Sequence, residues 1–471
     1  MSDAPSPPVS EPEPGPGPSE SPVPEPPPTP GASLARPTLL ALEADIAIAL
    51  STFVTAIIVA RALGPTNRGI YFLATLAASI IVLFGNLGMD SAAMVYGAKR
   101  RIPASQLHGL ALSFSIAVGV AGAALLLGLE HVWVTTVLKG MSWTTAVLVA
   151  VSIAPLLYAQ VIGAMLTGMG HVPAISVMRI GLAFATPAVT VPAVVIYGNA
   201  ASAVAAWLII TSAFAVLLCW YASSRVARPA RPTTWALREA TSYSLRVYVG
   251  SLAAQGFLRI DFFFVSAYMG PRAVGLYSQA SVMAERMTTF GQAVYASSAQ
   301  RLGSDPPREA AVLAAALVRL LLLVMVPVAI VLAVFARPLI VLLYGARFGA
   351  AGEPFAILLP GTVCLTLWYI VSMYVMSSLH RPGATTLIQG SALICAVPLY
   401  WLAVHQWGFN GAAAVSTVVY VGVFIAGLSF LVRSPYIGWR ELIPTHRDAR
   451  AVLVLAARAL TRLRSLHAGT S

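Results

Sequence analysis

Charge is scarce in this 471-residue chain: charged residues make up only 10%, whereas 58% of the residues are hydrophobic. Because soluble proteins usually have about 25% charged residues, the composition excludes an ordinary soluble domain and indicates a chain that lies mainly in lipid. The three cysteines, Cys219, Cys364 and Cys395, lie in separate apolar runs and have no disulfide or metal-binding spacing. The net charge of +12 is explained by basic loops at a cytoplasmic membrane face and does not require a nucleic-acid partner.

The sequence also lacks the short motifs of common catalytic sites. It has no phosphate-binding GxxxxGK[ST] loop, no HExxH, no CxxC and no GxSxG. No connection between the predicted spans exceeds about twenty residues, which leaves no room for a nucleotide-binding or catalytic domain. We therefore expect a protein that is not an enzyme, has no cofactor and does not itself hydrolyse ATP.

The two ends of the chain differ from its apolar middle. Residues 1–37 are rich in Pro, Glu, Ser and Gly and carry no secretory signal, so we expect a disordered cytoplasmic tail, with a proline-rich partner ligand as the less favoured alternative. The basic tail 434–471 includes an amphipathic stretch at 447–466 that is too short to span a membrane. We expect this stretch to lie on the anionic inner leaflet.

The middle of the chain is a series of apolar segments of about 20 residues, each long enough to cross a bilayer. They predict an all-α integral membrane protein of about twelve helices. The predicted spans are 39–62, 69–98 (broken near Gly85–Gly88), 105–129, 143–168, 172–197, 200–224, 242–268, 275–300, 311–336, 352–379, 384–406 and 410–432.

An internal repeat divides these spans into two halves. Residues 64–93 align with 270–299, and ten of the thirty positions are identical, including both Gly-Pro pairs and both tyrosines of Gly-Pro-x-x-x-Gly-[Ile/Leu]-Tyr. Because the repeat pairs helix 2 with helix 8, we predict two pseudo-symmetric six-helix lobes of the same orientation, 38–224 and 242–433, joined by a basic linker at 225–241. Duplicated membrane bundles are typical of transporters.

Basic residues predict the orientation. Most alternate connections, starting after helix 2, carry Lys or Arg, as at 99–104 and 225–241; the exception at 169–171 has only His171. The positive-inside rule then places both termini in the cytoplasm, which requires an even number of spans.

Charged side chains inside spans are the candidate site residues, because such charges are costly and usually face a cavity or a partner. Each has a structural alternative. Glu285 and Arg286 lie at mid-span where the duplicate has Ser79 and Ile80, and adjacent helix positions point about 100° apart, so they cannot both face one spot. The other candidates also have structural alternatives: an ion pair or snorkelling for Arg259 and Asp261, snorkelling for Glu43, Asp45 and Arg319, and capping of a half-helix for Asp90.

Two segments resemble a known family. The run ARALGPTNRGIYFLATLAASIIVLFGNLGMDSAAMVYGAKR (60–100) is similar to the N-terminal signature of polysaccharide-biosynthesis flippases, and RIDFFFVSAYMGPRAVGLYSQA (259–280) to their mid-chain signature. These flippases move lipid-linked O-antigen, lipopolysaccharide and exopolysaccharide precursors. They share a superfamily with the multidrug and toxin extrusion (MATE) antiporters and the lipid II flippases.

The resemblance implies a MATE-like flippase that moves oligosaccharide on undecaprenyl diphosphate from the inner to the outer leaflet of the cytoplasmic membrane by alternating access. It implies a cationic cavity, for which the substrate-binding candidates are Arg286, Arg259 and Arg319. It also implies ion-coupled transport by H⁺ or Na⁺, with Glu285, Asp261, Asp45 and Asp90 as candidates. The expected partners are membrane lipids, a polysaccharide polymerase and glycosyltransferases, and the chain is expected to act as a monomer.

Other functions remain open at this point. A MATE-like small-molecule antiporter would centre its cavity on carboxylates and aromatic rings. A lipid II flippase commonly has two further helices. A membrane polymerase or glycosyltransferase would need a large loop that this chain lacks, and a scaffold without transport activity is the last alternative.

Overall fold

The computed structural model of the protein describes residues 30–433 and 436–443, with side chains from residue 47 onward apart from some inside three helices. The predicted amphipathic helix at 447–466 and the greater part of both predicted tails lie outside the described residues.

Fourteen α-helices follow one another in the described part of the chain. They are α1 Pro30–Asn86, α2 Met89–Lys99, α3 Ala104–Gly128, α4 Glu130–Thr136, α5 Trp143–Gly168, α6 Val172–Tyr197, α7 Ala200–Arg225, α8 Thr234–Gly256, α9 Ile260–Met269, α10 Pro271–Ser304, α11 Pro307–Val334, α12 Ala336–Tyr344, α13 Gly352–Met373 and α14 Pro382–Val432. Short 3₁₀ helices occupy Ala346–Ala351 and Trp439–Leu442, and a π-turn at Tyr374–Ser378 continues α13.

The described residues contain no β-strand, and eight of their helices are long and apolar enough to cross a membrane. Two of these eight, α1 and α14, turn at a glycine with non-helical backbone angles, Gly64 and Gly408. The protein is therefore a multi-pass, all-helical membrane protein, as predicted. The count of twelve spans is not confirmed and stays a prediction.

Residues with positive φ, mostly glycines, explain several of the helix boundaries. Gly64 and Gly270 have φ values of +67° and +78°, a left-handed conformation that glycine adopts without steric cost, and each is followed by a proline. Leu87 and Gly88 also have positive φ and separate α1 from α2, which confirms the break predicted near Gly85–Gly88.

The predicted seventh span, 242–268, differs from the structure. Helix α8 begins at Thr234, where the Thr233 hydroxyl accepts a hydrogen bond from the Ala236 N–H at 3.2 Å. Its first turns are polar, so a criterion of apolar length misses them. The chain then leaves the helix between Gly256 and Ile260, and α9 begins with Arg259 as its N-cap. The non-helical linker is therefore shorter than the predicted 225–241.

The two predicted lobes meet where the repeated elements cross. A Cβ atom added to Gly69 in α1 would overlap the carbonyl oxygen of Pro271, and one added to Gly275 in α10 would overlap that of Pro65. Each Gly-Pro turn thus packs on the glycine of the other copy, backbone against backbone. We call this region the Gly-Pro end, defined by Gly64-Pro65 and Gly270-Pro271, and the opposite end, which carries residues 226–233, the linker end.

Candidate functional site

Two adjoining cavities lie inside the helical bundle. The first, the N-lobe cavity, has a volume of about 530 Å³ and is bounded by α1, α5, α6 and α7. Its lining is rich in hydroxyl groups and aromatic rings, with Arg68 as its charged residue. The threonines are Thr52, Thr55, Thr75, Thr186, Thr190 and Thr211, and the aromatic residues are Tyr71, Phe72, Trp207 and Phe214.

The second, the central cavity, has a volume of about 460 Å³ and lies between the lobes. Its polar lining comes from both lobes: Ser79, Asn86 and Asp90 from α1 and α2, and Tyr248, Gln255 and Arg259 from the α8–α9 segment. Phe72, Thr75 and Gln160 line both cavities. The two spaces therefore adjoin along one wall, and together they form a cleft with polar groups in an otherwise apolar bundle.

Arg259, a predicted substrate-binding residue, is held by Glu285, a predicted ion-coupling residue. Arg259 Nη1 donates to Glu285 Oε1 at 2.9 Å and Nη2 donates to Oε2 at 3.2 Å. The Ser281 hydroxyl donates to the same Oε1 at 3.3 Å. Both charged side chains remain about one third exposed, at 35% and 29%, so the pair lies at the cavity wall and its charges compensate each other.

Asp261 is 2% exposed and lies behind the cavity wall. Tyr277 donates its phenolic O–H to Asp261 Oδ2 at 2.7 Å, and the Phe262 N–H donates to Oδ1 at 2.9 Å. Ser416 Oγ lies 3.2 Å from the Tyr277 oxygen and 2.9 Å from the Tyr400 oxygen. Asp261 is thus the end of a buried hydrogen-bonded chain that joins α9, α10 and α14.

Asp90 lies in the first turn of α2 and lines the central cavity together with Arg259. Its Oδ1 accepts the Ser91 N–H at 2.7 Å, while its own N–H donates to Asn86 Oδ1 at 3.3 Å. Asn86 therefore binds a backbone N–H in the first turn of α2, and the Asp90 side chain lines the cavity. Asp45 lies in the part of α1 whose side chains are outside the described residues.

The remaining two predicted arginines lie away from both cavities. Arg286 is half-buried, and its Nε makes no hydrogen bond with any described residue. Arg319 on α11 donates to the carbonyl oxygen of Glu441 in the last 3₁₀ helix. The structure thus brings Arg259, Glu285 and Asp90 together and separates Arg286 and Arg319 from them.

Arg68 is the residue that sequence reasoning missed, because it falls in the short connection between the predicted spans 39–62 and 69–98. It is only 7% exposed, and its guanidinium carbon lies 5.2 Å from the Tyr71 ring centre and 5.9 Å from that of Phe72. With the Gln279 amide oriented to satisfy both groups, Gln279 Oε1 accepts from Arg68 Nε at 2.8 Å and from Nη2 at 3.2 Å. The internal repeat could have identified this residue: Arg68 aligns with the apolar Val274, so the repeated fold itself does not require a charge at this position.

The lobes contact each other at both ends of the cleft. At the Gly-Pro end, Arg61 donates to the carbonyl oxygens of Leu343 at 2.8 Å and Leu342 at 2.5 Å, and Lys139 donates to that of Ala267 at 2.6 Å. Toward the linker end, Tyr248 in α8 donates to the Phe84 carbonyl oxygen at 2.6 Å. Glu239, also in α8, accepts from Tyr96 and pairs with Arg101; these contacts measure 3.1 Å and 3.3 Å.

A family model described as polysaccharide biosynthesis protein matches residues 58–352. These residues include the buried Arg68, the central cavity and the crossing of the two Gly-Pro elements. The chain belongs to this family, which confirms the resemblance found in its two signatures. The comparison with curated proteins found no match to the chain.

Solved structures with the same fold belong to the MOP superfamily. The lipid II flippase MurJ in an inward closed conformation is 14% identical with a TM-score of 0.64, covering 90% of this chain and 93% of MurJ. An inward-facing MATE multidrug resistance transporter is 15% identical with a TM-score of 0.60, covering 84% and 99%. A MOP transporter from Pyrococcus furiosus, described as having a binding pocket of reverse polarity, is 15% identical with a TM-score of 0.57, covering 84% and 93%. At these identities the likeness establishes the fold alone.

Proposed function

We propose that the protein is a flippase that moves oligosaccharide linked to undecaprenyl diphosphate from the inner to the outer leaflet of the cytoplasmic membrane. The observation that carries this proposal is the polar cleft between the lobes, two adjoining cavities of about 530 and 460 Å³, in a chain of the polysaccharide biosynthesis family. A cleft lined by both lobes suits alternating access, in which the lobes separate first at one end and then at the other.

The chemistry of the lining suits the two polar parts of such a substrate. A diphosphate cannot cross about 30 Å of hydrocarbon without compensation of its charge, and an arginine offers it two parallel hydrogen bonds. Arg259 is the best placed of the three predicted arginines because it lines the central cavity and the other two line neither cavity of the cleft. Arg286 and Arg319 would reach the substrate only in another conformation. The threonines and aromatic rings of the N-lobe cavity suit the hydroxyl groups and apolar faces of sugars.

Ion coupling would follow from the Arg259–Glu285 pair. A diphosphate that binds Arg259 takes the guanidinium from Glu285, and H⁺ or Na⁺ then neutralises the released carboxylate. Asp90 supplies a second carboxylate to the same cavity, and Asp261 and Asp45 remain candidates outside it. In this proposal the protein works as a monomer in the cytoplasmic membrane with both termini inside. It receives its substrate from glycosyltransferases and passes it to a polymerase.

Transport in proteoliposomes tests the proposal. Purified protein is reconstituted with a fluorescent polyprenyl-diphosphate oligosaccharide, and an impermeant sugar-oxidising reagent reports the fraction that is exposed outside. Wild type should expose the label within minutes to a level above that of empty vesicles, and Arg259→Gln should reduce the rate at least tenfold. Arg308→Gln, at an exposed arginine near the linker end, is the matched control and should transport normally. A wild-type rate equal to that of empty vesicles would reject the flippase.

One observation favours a second candidate, an ion-coupled small-molecule antiporter. Organic cations bind to carboxylates and aromatic faces, and the cleft contains Asp90 together with four aromatic residues of the N-lobe cavity. Efflux of a cationic dye from the same vesicles, lost in Asp90→Asn and unaffected by polyprenyl-diphosphate oligosaccharide, would favour this candidate over the flippase.

A further inference from the structure

Arg68 is a buried cation whose hydrogen-bond and ring partners in the described part of the chain are neutral. The Gln279 amide oxygen accepts its hydrogen bonds, and the aromatic rings of Tyr71 and Phe72 lie next to its guanidinium group. None of the ion pairs between described residues involves Arg68. A buried arginine in a membrane protein usually has a charged partner, because its desolvation is costly. The N-lobe cavity therefore contains a positive charge that no described residue balances.

The partner of Arg68 belongs to the other lobe. Arg68 lies in α1 and Gln279 in α10, so their hydrogen bonds cross the boundary between the lobes. Both groups are buried, at 7% and 0% exposure, and the crossing of Gly69 with Pro271 and of Gly275 with Pro65 lies directly beside them in sequence. The bond is therefore part of the contact that closes the Gly-Pro end.

A neutral amide is a weak partner for such a cation. The amide oxygen accepts hydrogen bonds from the guanidinium but carries no negative charge, whereas a phosphate or carboxylate adds the opposite charge and is often bound by two parallel N–H bonds. Since Arg68 lines the N-lobe cavity, an anion that enters the cavity can approach the guanidinium without crossing a protein layer. Such an anion competes directly with Gln279.

We propose that Arg68 is the anion-binding residue of the N-lobe cavity, and that a bound phosphate or carboxylate takes its guanidinium from Gln279 and so loosens the Gly-Pro end. The proposal rests on the flippase function in one respect, since it makes the anion part of the substrate. The anion is either the diphosphate of the lipid carrier or an acidic group on a sugar. In both cases binding and opening are coupled, because one guanidinium cannot satisfy both partners.

The remaining contacts at this end determine how large the effect is. Arg61 and Lys139 donate to backbone carbonyl oxygens of the other lobe, and neither lines the N-lobe cavity. Anion binding thus removes one of several interactions. We expect it to shift the equilibrium between closed and open forms several-fold and not to convert all molecules.

A distance measurement across the Gly-Pro end tests the proposal. Spin labels are placed at two exposed positions, Asn199 at the N-terminus of α7 and Phe335 at the C-terminus of α11. The full-length protein is used, with its three cysteines replaced. The probes are a short-chain polyprenyl diphosphate, a lipid-free oligosaccharide with a uronic acid, and its neutral analogue. In the labelled protein that retains Arg68, at least one anionic probe should raise the fraction of molecules with the long spin–spin distance several-fold. The neutral probe should not change this fraction.

Variants separate the site from general damage. Arg68→Gln should abolish the response, Arg68→Lys should retain part of it because the charge is kept without the bidentate geometry, and Arg308→Gln should respond as the parent does. Gln279→Leu should populate the long distance without any probe. A response to the diphosphate alone identifies the carrier as the source of the anion, and a response to the uronic acid alone identifies the sugar.

Two results would overturn the proposal: an undiminished response in Arg68→Gln, or no response to any anion in protein that transports substrate in vesicles. Failure of the flippase function is distinguishable from these. In that case the vesicle assay shows no transport, while the anion still changes the distance through Arg68.

Discussion

Arg259 and Glu285 contact each other although 26 positions separate them, because α9 begins at Arg259 and α10 passes beside it. Glu285 and Arg286, which are adjacent in sequence, are directed to different surroundings. Glu285 bonds Arg259, whereas Arg286 Nε makes no hydrogen bond with any described residue. The prediction that adjacent helical residues cannot face one spot is therefore confirmed. What the sequence did not reveal is which of the two would face the cleft.

Removing one member of the Arg259–Glu285 pair should destabilise the protein moderately. We expect Arg259→Gln or Glu285→Gln to lower the free energy of unfolding by about 1–2 kcal/mol. This is less than the about 3–5 kcal/mol for a fully buried pair, because both side chains are about one third exposed. The double variant should recover most of the loss. Denaturation in detergent measures this, and a double variant no more stable than the worse single one would contradict the pairing.

The buried chain from Asp261 to Tyr400 should be most sensitive at Tyr277. Tyr277→Phe removes the side-chain donor to Asp261 and should cost about 1–3 kcal/mol, since it leaves a buried carboxylate short of a donor. Tyr400→Phe should cost less, about 0.5–1.5 kcal/mol, because Ser416 still contacts Tyr277 and bonds the Ala412 carbonyl oxygen. The same unfolding measurement compares them, and equal losses would show that Asp261 does not depend on Tyr277.

At the scale of elements, the two Gly-Pro turns and the helices that follow them act as a matched pair. The sequence repeat identified them as structural, but it did not indicate that they pack on each other across the lobe boundary. This contact needs two glycines, Gly69 and Gly275, because the backbone of the opposite turn occupies the position of a side chain.

Alanine at these glycines should disturb the lobe contact. Gly69→Ala and Gly275→Ala should each destabilise the closed form by about 1–3 kcal/mol, the usual cost of overpacking, and should increase the long spin-label distance between positions 199 and 335. Gly163→Ala in α5 is the control, since no atom lies within 4 Å of the added Cβ, and it should be neutral or stabilising by up to about 1 kcal/mol. Equal behaviour of all three variants would contradict the crossing.

Helix α8 provides the corresponding contact near the linker end, through Glu239. Arg101 is 60% exposed in its pair with Glu239, so its Coulomb energy is small and screened by salt. We expect Glu239→Gln to leave the stability nearly unchanged. It should increase the rate at which an impermeant thiol reagent, entering from the linker end, labels a cysteine placed at Gln255 in the central cavity. Raising the salt concentration should reproduce part of this increase in wild type. No change in labelling would exclude Glu239 as a closing contact.

At the scale of the whole molecule, the orientation is a prediction from basic residues. A single cysteine at Asn199 should react with an impermeant maleimide from outside intact cells, and one at Arg228, in the linker, should react only after permeabilisation. Both positions lie at exposed sites of the described chain. A lack of labelling after permeabilisation would therefore mean that the labelling reaction failed, and not that the cysteine is buried. The reverse pattern would invert the proposed direction of transport.

Composition and the internal repeat predicted much of the fold, because a bilayer requires apolar segments of a fixed length and a duplication preserves the glycine and proline residues between them. The segment length predicted the all-helical class, the Gly-Pro pairs marked real helix boundaries, and Gly88 marked a real break. The polar start of α8 was missed, because its helical turns at Thr234 are too polar for an apolar-span criterion.

The sequence by itself determined that this is a duplicated helical membrane protein of the polysaccharide biosynthesis family, because hydropathy and signature residues are local properties of the chain. Only the tertiary structure decided which charges share a cavity. Arg68, placed by sequence in a loop, lies buried in the N-lobe cavity, and Arg319 bonds the C-terminal 3₁₀ helix instead of the cleft. Side-chain environment depends on how helices from both lobes pack around each residue, and no local pattern encodes that packing.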